Sequence, residues 1–242
     1  MMNGFKTEAG IEVPPVNVSQ MREVDRIAVE EMGLTLFQMM ENAGRTVAQF
    51  SLEVLKWQGQ SAKVLVLVGS GGNGGGGLCA ARHIANRSVN VDVCYADPAK
   101  LNESAACQRK ILNSTPAKET VSSALSGKTY DLIIDALIGN GLDSAPRGEA
   151  AALIRWANES KTPILSLDVP SGVNATTGET PGDYIRPRWT ITLALPKTGL
   201  SPELTGNLFL ADLGIPPKAF QKVNLQYTNP FGSTFWVPLT KW

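Results

Sequence analysis

The chain has 242 residues, with 22 Lys+Arg against 22 Asp+Glu, 43% hydrophobic and 18% charged residues. This is the composition of an ordinary globular protein, and it excludes the basic excess of a nucleic-acid binder and the polybasic stretch of a membrane-surface protein. No apolar run approaches the roughly 20 residues of a membrane-spanning helix. Residues 1–15 lack the basic start and long apolar stretch of a secretory signal, so the expected location is the cytoplasm, or an organelle if a transit peptide has been removed. The length suits one α/β domain over residues 1–242, with a flexible or strapping arm at 1–17 and a tail at 229–242. Cys79, Cys94 and Cys107 are odd in number and lack metal-ligand spacing, which predicts buried free thiols in a reducing compartment.

Residues 18–32 read as a helix capped by Ser19 with help from Glu23, ended by Gly33, with Met21, Val24, Ile27, Ala28 and Met32 on one face. A second helix is predicted over 35–57, with Leu36, Met39, Met40, Ala43, Val47, Phe50 and Leu55 turned inward as core. A strand at 63–68 leads into a glycine loop, and a helix follows to about 87. Strands at 89–95, 130–135, 163–167, 189–194 and 207–211 alternate with helices at 102–113 and 148–159. That alternation predicts a doubly wound α/β fold with a mostly parallel sheet. The tail holds Phe231, Phe235, Trp236 and Trp242, too aromatic for a disordered end, so it is expected to pack on the domain or on a partner subunit.

Gly69-Ser70-Gly71-Gly72-Asn73-Gly74-Gly75-Gly76-Gly77 stands between an apolar strand and a helix. Backbone N–H groups without Cβ hindrance, beside the positive end of a helix, predict a phosphate-bearing ligand. The run satisfies the spacing of a dinucleotide fingerprint, with Asp97 near the place of its ribose acid, although such a loop needs no glycines at 75–77. Three more segments fall beyond strand ends, where doubly wound sheets bind ligands: residues 135–142, 168–174 and 195–199. Asp135 and Asp168 each close an apolar strand, so each either caps the following turn or is paired, hydrogen-bonded or ligating a cation. His83 is the only histidine, read as a general base or, more simply, as a structural hydrogen-bonding group; a Cys79–His83 dyad has little support. Glu41 and Asn42 either reach the ligand pocket or serve capping and packing.

The chain resembles the YjeF N-terminal domain family of NAD(P)H-hydrate epimerases. The resemblance is carried by Gln20-Met21-Arg22-Glu23-Val24-Asp25, Met40-Glu41-Asn42-Ala43-Gly44, the Gly-Asn-Gly-Gly loop with Ala80-Ala81-Arg82-His83, the Asp135 loop, Asp168-Val169-Pro170-Ser171-Gly172, Pro196-Lys197-Thr198-Gly199 and Asp212-Leu213-Gly214-Ile215-Pro216. It implies a three-layer αβα Rossmann-like sandwich, a homodimer, and epimerisation of the C6-hydrated nucleotides NADHX and NADPHX upstream of a separate dehydratase. It implies a potassium ion held by Asn73, Asp135 and Ser171. It places the substrate against Gly72, Asn73, Gly74, Gly75 and Gly76, against Gly139, Asn140, Gly141, Leu142, Asp143, Ser144 and Ala145, and against Asp168. Asp168 would act as the acid/base at the hydrated ring, with Lys197 near the same site. A carboxylate there can stabilise the iminium cation left by loss of hydroxide and shuttle the proton, and a hard oxygen cage suits a hard cation. This chain departs from the family pattern in having Gly72 and Gly76 where Asn and Asp are usual, and Val173-Asn174 where Leu-Asp is usual. A non-catalytic nucleotide- or protein-binding module, or an isomerase or lyase of another metabolite, are the alternatives.

Overall fold

The computed structural model describes residues 4–56 and 61–241. Its elements run β1 (Phe5–Thr7), β2 (Glu12–Val13), α1 (Val18–Arg26), α2 (Leu36–Val54), β3 (Lys63–Val68), α3 (Gly72–Ala85), β4 (Asn90–Tyr95), α4 (Glu103–Leu112), β5 (Lys118–Thr120), β6 (Leu132–Ala136), α5 (Gly148–Glu159), β7 (Ile164–Leu167), β8 (Trp189–Leu193), α6 (Pro202–Thr205), β9 (Asn207–Ala211), α7 (Pro217–Lys222) and β10 (Trp236–Lys241). The ten strands form one sheet in the order β2-β1-β10-β9-β8-β7-β6-β3-β4-β5. From β5 to β9 all neighbours are parallel, whereas β10, β1 and β2 are antiparallel additions at one edge.

Alternation along β3 divides the core. Val64, Val66 and Val68 pack with α2, α3 and α4, while Leu65 and Leu67 pack with α5 on the other face. A third cluster joins α1, β1 and α7 to Leu208 and Leu210. The predicted αβα sandwich is thus present. The chain order reverses at β3, which has β4 on one side and β6 on the other, so the switch point lies between β3 and β6.

Several local expectations are corrected. Asn17 rather than Ser19 caps α1, in a reciprocal box with Gln20 (Gln20 N to Asn17 Oδ1, 2.8 Å; Asn17 N to Gln20 Oε1, 3.0 Å). The helix does not continue regularly to Met32: residues Ile27–Glu31 widen into a π turn before Gly33 (φ 77°) reverses the chain. Thr35 and Gln38 form a second capping box on α2, whose expected end at Trp57 lies outside the described residues. Leu36, predicted inward, is 49% exposed. The arm is not loose between residues 5 and 13. It forms the β1–β2 hairpin, and the tail is drawn into the sheet as β10 between β9 and β1. Met1–Asn3 and Trp242 lie outside the described residues. Cys79 and Cys94 are buried free thiols, but Cys107 is exposed on α4.

The largest correction concerns the glycines. α3 begins at Gly72, so Gly72 and Gly74–Gly77 are helical residues rather than a loop before a helix. Each helical glycine costs about 1 kcal/mol relative to alanine, and packing explains why the cost is met. A Cβ on Gly74 would sit 1.9 Å from the Gly69 carbonyl oxygen, and one on Gly77 would sit 2.5 Å from the Ala136 Cβ. The first turns of α3 therefore lie directly against the ends of β3 and β6. A Cβ on Gly72 would meet nothing within 4 Å among the described residues. Gly74→Ala is expected to destabilise the protein by about 3 kcal/mol or more, because the clash is with backbone. Gly72→Ala is expected to be neutral or stabilising by up to about 1 kcal/mol. Urea unfolding of the two variants separates these outcomes.

Candidate active site

A cavity of about 460 Å³ opens at the switch point, within the size range of small-molecule sites. Its walls are the turn after β3 with the start of α3 (Ser70–Asn73 and Gly76), the turn after β6 (residues 137–141), Asp168 after β7, and Leu193, Ala194 and Lys197 after β8. Met21 and Asp25 from α1, and Leu36, Met39, Met40 and Ala43 from α2, close the remaining side. The two methionines thus serve core and cavity together, and exposed Leu36 stands at the mouth.

Of the substrate-contacting residues expected from sequence, Gly72, Asn73, Gly76, Gly139, Asn140, Gly141 and Asp168 line this cavity. Gly74 and Gly75 are buried behind it, Gly75 with its Cα facing the Met40 thioether. Leu142, Asp143, Ser144 and Ala145 continue the loop after β6 away from the lining. Asp97 does not line it either; it is taken by Lys100 (3.0 Å). At Gly76, where the family pattern has Asp, a Cβ would meet only the Leu167 methyl Cδ2 at 2.9 Å. The missing side chain leaves floor space that Leu167 edges into.

α3 has no side-chain cap at its N-terminus, which opens into the cavity at Gly71 and Gly72. Its first N–H groups are unpaired within the helix, so this wall attracts anions.

The opposite chemistry stands at the ends of β7 and β8. Asp168 has φ 69° and Ala194 has φ 61°, and each is the centre of a γ-turn, closed by Val169 N to Leu167 O (3.0 Å) and Leu195 N to Leu193 O (2.7 Å). Such turns with positive φ at a non-glycine residue are rare and strained, and their clustering is typical of functional sites. They turn both strands sharply and aim Asp168 at Lys197. The Lys197 ammonium is 1% exposed and donates to Asp168 Oδ1, to Leu193 O (2.9 Å) and to Thr192 Oγ1 (3.3 Å). All three of its protons are engaged. Leu193 N (3.3 Å) also donates to Asp168 Oδ1. Oδ2 accepts nothing from the described residues and is free for a ligand.

Asp135 lies behind the cavity, fully buried at the end of β6. Its carboxylate accepts from Ser171 Oγ (2.5 Å), Ser171 N (2.9 Å), Ser166 Oγ (2.8 Å) and Leu137 N (3.3 Å). Burial still pushes its pKa up against these bonds. Ser171 Oγ also lies 3.1 Å from the Ile138 carbonyl oxygen and accepts from Ile138 N (2.8 Å). Asp135 Oδ1, Ser171 Oγ and Ile138 O therefore share one hydroxyl proton. Asn73 packs against Gly139, and its amide Nδ2 is buried without a partner. Rotating that amide by 180° would offer an oxygen instead. This set of hard oxygens, with an orphaned amide beside it, fits a hard cation such as potassium. Asn174, the other departure, accepts from Thr176 N (2.9 Å) and Thr177 N (3.0 Å) in a local turn.

Glu41 and Asn42 do not reach the cavity. Asn42 donates to Leu213 O (2.9 Å). Glu41 turns to α3, where it accepts from Arg82 (2.5 Å), bonds His83 Nε2 (2.7 Å) and meets Cys79 Sγ (3.3 Å). His83 is thus a structural partner, as its simpler reading held. Burial pushes the Cys79 thiol up to about 12, far from a thiolate nucleophile. Sequence reasoning assigned no role to Asp25, although it lay within the first quoted motif; nothing in a helical stretch of charges marks one carboxylate as facing a cavity.

Comparison with known proteins gives the family of the chain. Residues 36–199 match the family model described as YjeF-related protein N-terminus. The chain belongs to this family. It is 48% identical to a protein of Dehalogenimonas lykanthroporepellens named NAD(P)H-hydrate epimerase, over 98% of this chain and 97% of that one. It is 37% identical to the bifunctional NAD(P)H-hydrate repair enzyme Nnr of Moorella thermoacetica, over 84% of this chain but only 41% of that longer protein. Among solved structures, yeast ynu0 shares the fold, with a TM-score of 0.80 and 23% identity over 93% of this chain and 100% of that one. No helix among the described residues is long and apolar enough to cross a membrane.

Two outcomes follow from the site. Lys197→Met leaves Asp168 buried without its cation and is expected to cost about 3–5 kcal/mol in urea unfolding, most of it recovered when Asp168→Asn is added. At Glu41, burial alone would raise the pKa, but the bonds from Arg82, His83 and Cys79 together hold it down to about 2, from an ordinary 4.5. A depressed carboxyl stabilises the fold above pH 4.5, and the stabilisation fades as pH falls towards 2. Glu41→Gln should therefore flatten acid unfolding within that window, as followed by circular dichroism. With the side chain 43% exposed, the difference should shrink in high salt.

Proposed function

We propose that this protein epimerises the C6-hydrated forms of NADH and NADPH, as a step in repair of the nicotinamide nucleotide. The observation that carries the reading is the pairing, within one cavity, of an uncapped glycine helix end with the Asp168–Lys197 pair. The first suits a diphosphate, and the second a ring that becomes cationic. The names borne by its relatives support the same reading. In the substrate, loss of the C6 hydroxyl leaves an iminium cation, and water can return to either face. Asp168 Oδ2 is the free carboxylate oxygen that would face that cation, with Lys197 fixing Oδ1. Lys197 acts here by positioning Asp168, since its protons are already committed to fixed acceptors.

Asn73, Asp135, Ser171 and the Ile138 carbonyl would hold potassium, which supplies positive charge between the diphosphate and the buried Asp135. The protein would act as a cytoplasmic homodimer alongside a separate dehydratase specific for one epimer.

The test adds purified protein to the R epimer with excess S-specific dehydratase and follows recovery of the reduced nucleotide. Recovery above the spontaneous rate is expected, falling about 100-fold or more in Asp168→Asn and falling when potassium is exchanged for tetramethylammonium. Recovery at the spontaneous rate from folded protein would refute the reading.

A further inference from the structure

Asp25 stands in the same cavity as Asp168 but enters it from α1 rather than from a strand end. The segment leading into α1 is fastened to the Lys197 loop by backbone at Val16, and the first residue of α1 is held by the Thr176 hydroxyl. Val16 N donates to Pro196 O (2.9 Å), Thr198 N donates to Val16 O (3.0 Å), and Val18 N donates to Thr176 Oγ1 (3.2 Å). Asp25 is thereby placed near the ion pair without a side-chain bridge of its own. Its carboxyl makes no hydrogen bond with the described residues, whereas Asp168 Oδ1 is crowded with donors. Among the described residues, the charged side chains of the lining are these two carboxyls and the Lys197 ammonium. One carboxyl is matched by the ammonium, and the other is left over.

We propose that Asp25 is the proton donor of this site, protonating the departing C6 hydroxyl while Asp168, held by Lys197, faces the ring cation. The proposal rests on the epimerase reading. The carboxyl proton of Asp25 passes to the hydroxyl oxygen, and the C6–O bond breaks with its electron pair leaving on water. The lone pair of the ring nitrogen forms the C6=N bond. Water then adds to C6 on the opposite face, and the proton it sheds returns to the Asp25 carboxylate through the water just released. Substrate, water and protein are balanced at the end of the cycle.

The surroundings of Asp25 suit a donor. Burial pushes its carboxyl up to about 6, with Asp168 pushing the same way and Lys197 pulling back. An acid poised there is partly protonated near neutral pH and still strong enough to give up its proton.

The test measures kcat/KM for the interconversion against pH, corrected for the spontaneous rate, in the native protein, Asp25→Asn and Asp25→Glu. In the native protein the value should fall about tenfold per pH unit above the Asp25 pKa. Asp25→Asn should lower it about 100-fold and abolish that limb, and Asp25→Glu should restore the limb. Independently of turnover, carbon NMR of aspartate-labelled protein should show a carboxyl titrating near pH 6 that is missing in Asp25→Asn. A fully active Asp25→Asn, a slowed one with the limb unchanged, or the absence of such a carboxyl would overturn the proposal. A native protein that titrates as expected but is inactive at every pH refutes the epimerase reading itself, and this assignment with it.

Discussion

The buried contact between Lys197 and Asp168 is the interaction around which the site is built. Two opposite charges out of water are stable only when each is close to the other and their remaining valences are filled. Here Thr192, the Leu193 carbonyl and the Leu193 amide fill them. Reaching this arrangement requires two neighbouring parallel strands to end in γ-turns with positive φ, at Asp168 and Ala194. The strain is supported from outside by the arm, whose Val16 is paired with the Lys197 loop, and by β9, whose Ala211 carbonyl accepts from Ala194 N (3.1 Å). Hydrophobic pairs of similar volume are often at least as stable as buried ion pairs. The presence of charges at this cost points to chemistry in the cavity they line.

The second constraint is the closeness of α3 to the strand ends. Gly74 and Gly77 allow its first turns to rest on the Gly69 carbonyl and on Ala136. This brings the helix N-terminus over the cavity, where its unpaired N–H groups are of use. The same packing puts Asn73 against Gly139 and so joins the wall formed by the helix end to the oxygen cluster around Asp135. The two walls are one mechanical unit. A glycine at 76 removes a side chain from the cavity floor but leaves this packing untouched, because Cβ at that position faces only the flexible end of Leu167.

Much of this could be read from the chain. The β3 run Val64–Val68 announces a strand buried on both faces, and Asp135 and Asp168 announce themselves as carboxylates at the ends of such strands. Asn73, Gly139–Gly141, Asp168 and Lys197 were expected at one site and do share one cavity. What was misread depends on contacts made far along the chain. A run of glycines looks like a loop by propensity, and only the strands it lies against make it the start of a helix. Leu36 has the spacing of a core residue but faces the cavity mouth. Glu41 and His83, polar residues in shared motifs, satisfy one another instead of a ligand.

The sequence by itself determined the layer order, the parallel core and the residue types at the strand ends, because these follow from hydrophobic period and from the cost of burying charge. Only the tertiary structure decided which charges meet. It paired Lys197 with Asp168 through two strained turns, left Asp25 facing them from α1, and drew β1 and β10 into one sheet edge from opposite ends of the chain. Those outcomes rest on distances between segments remote in sequence, and local propensity carries no information about them.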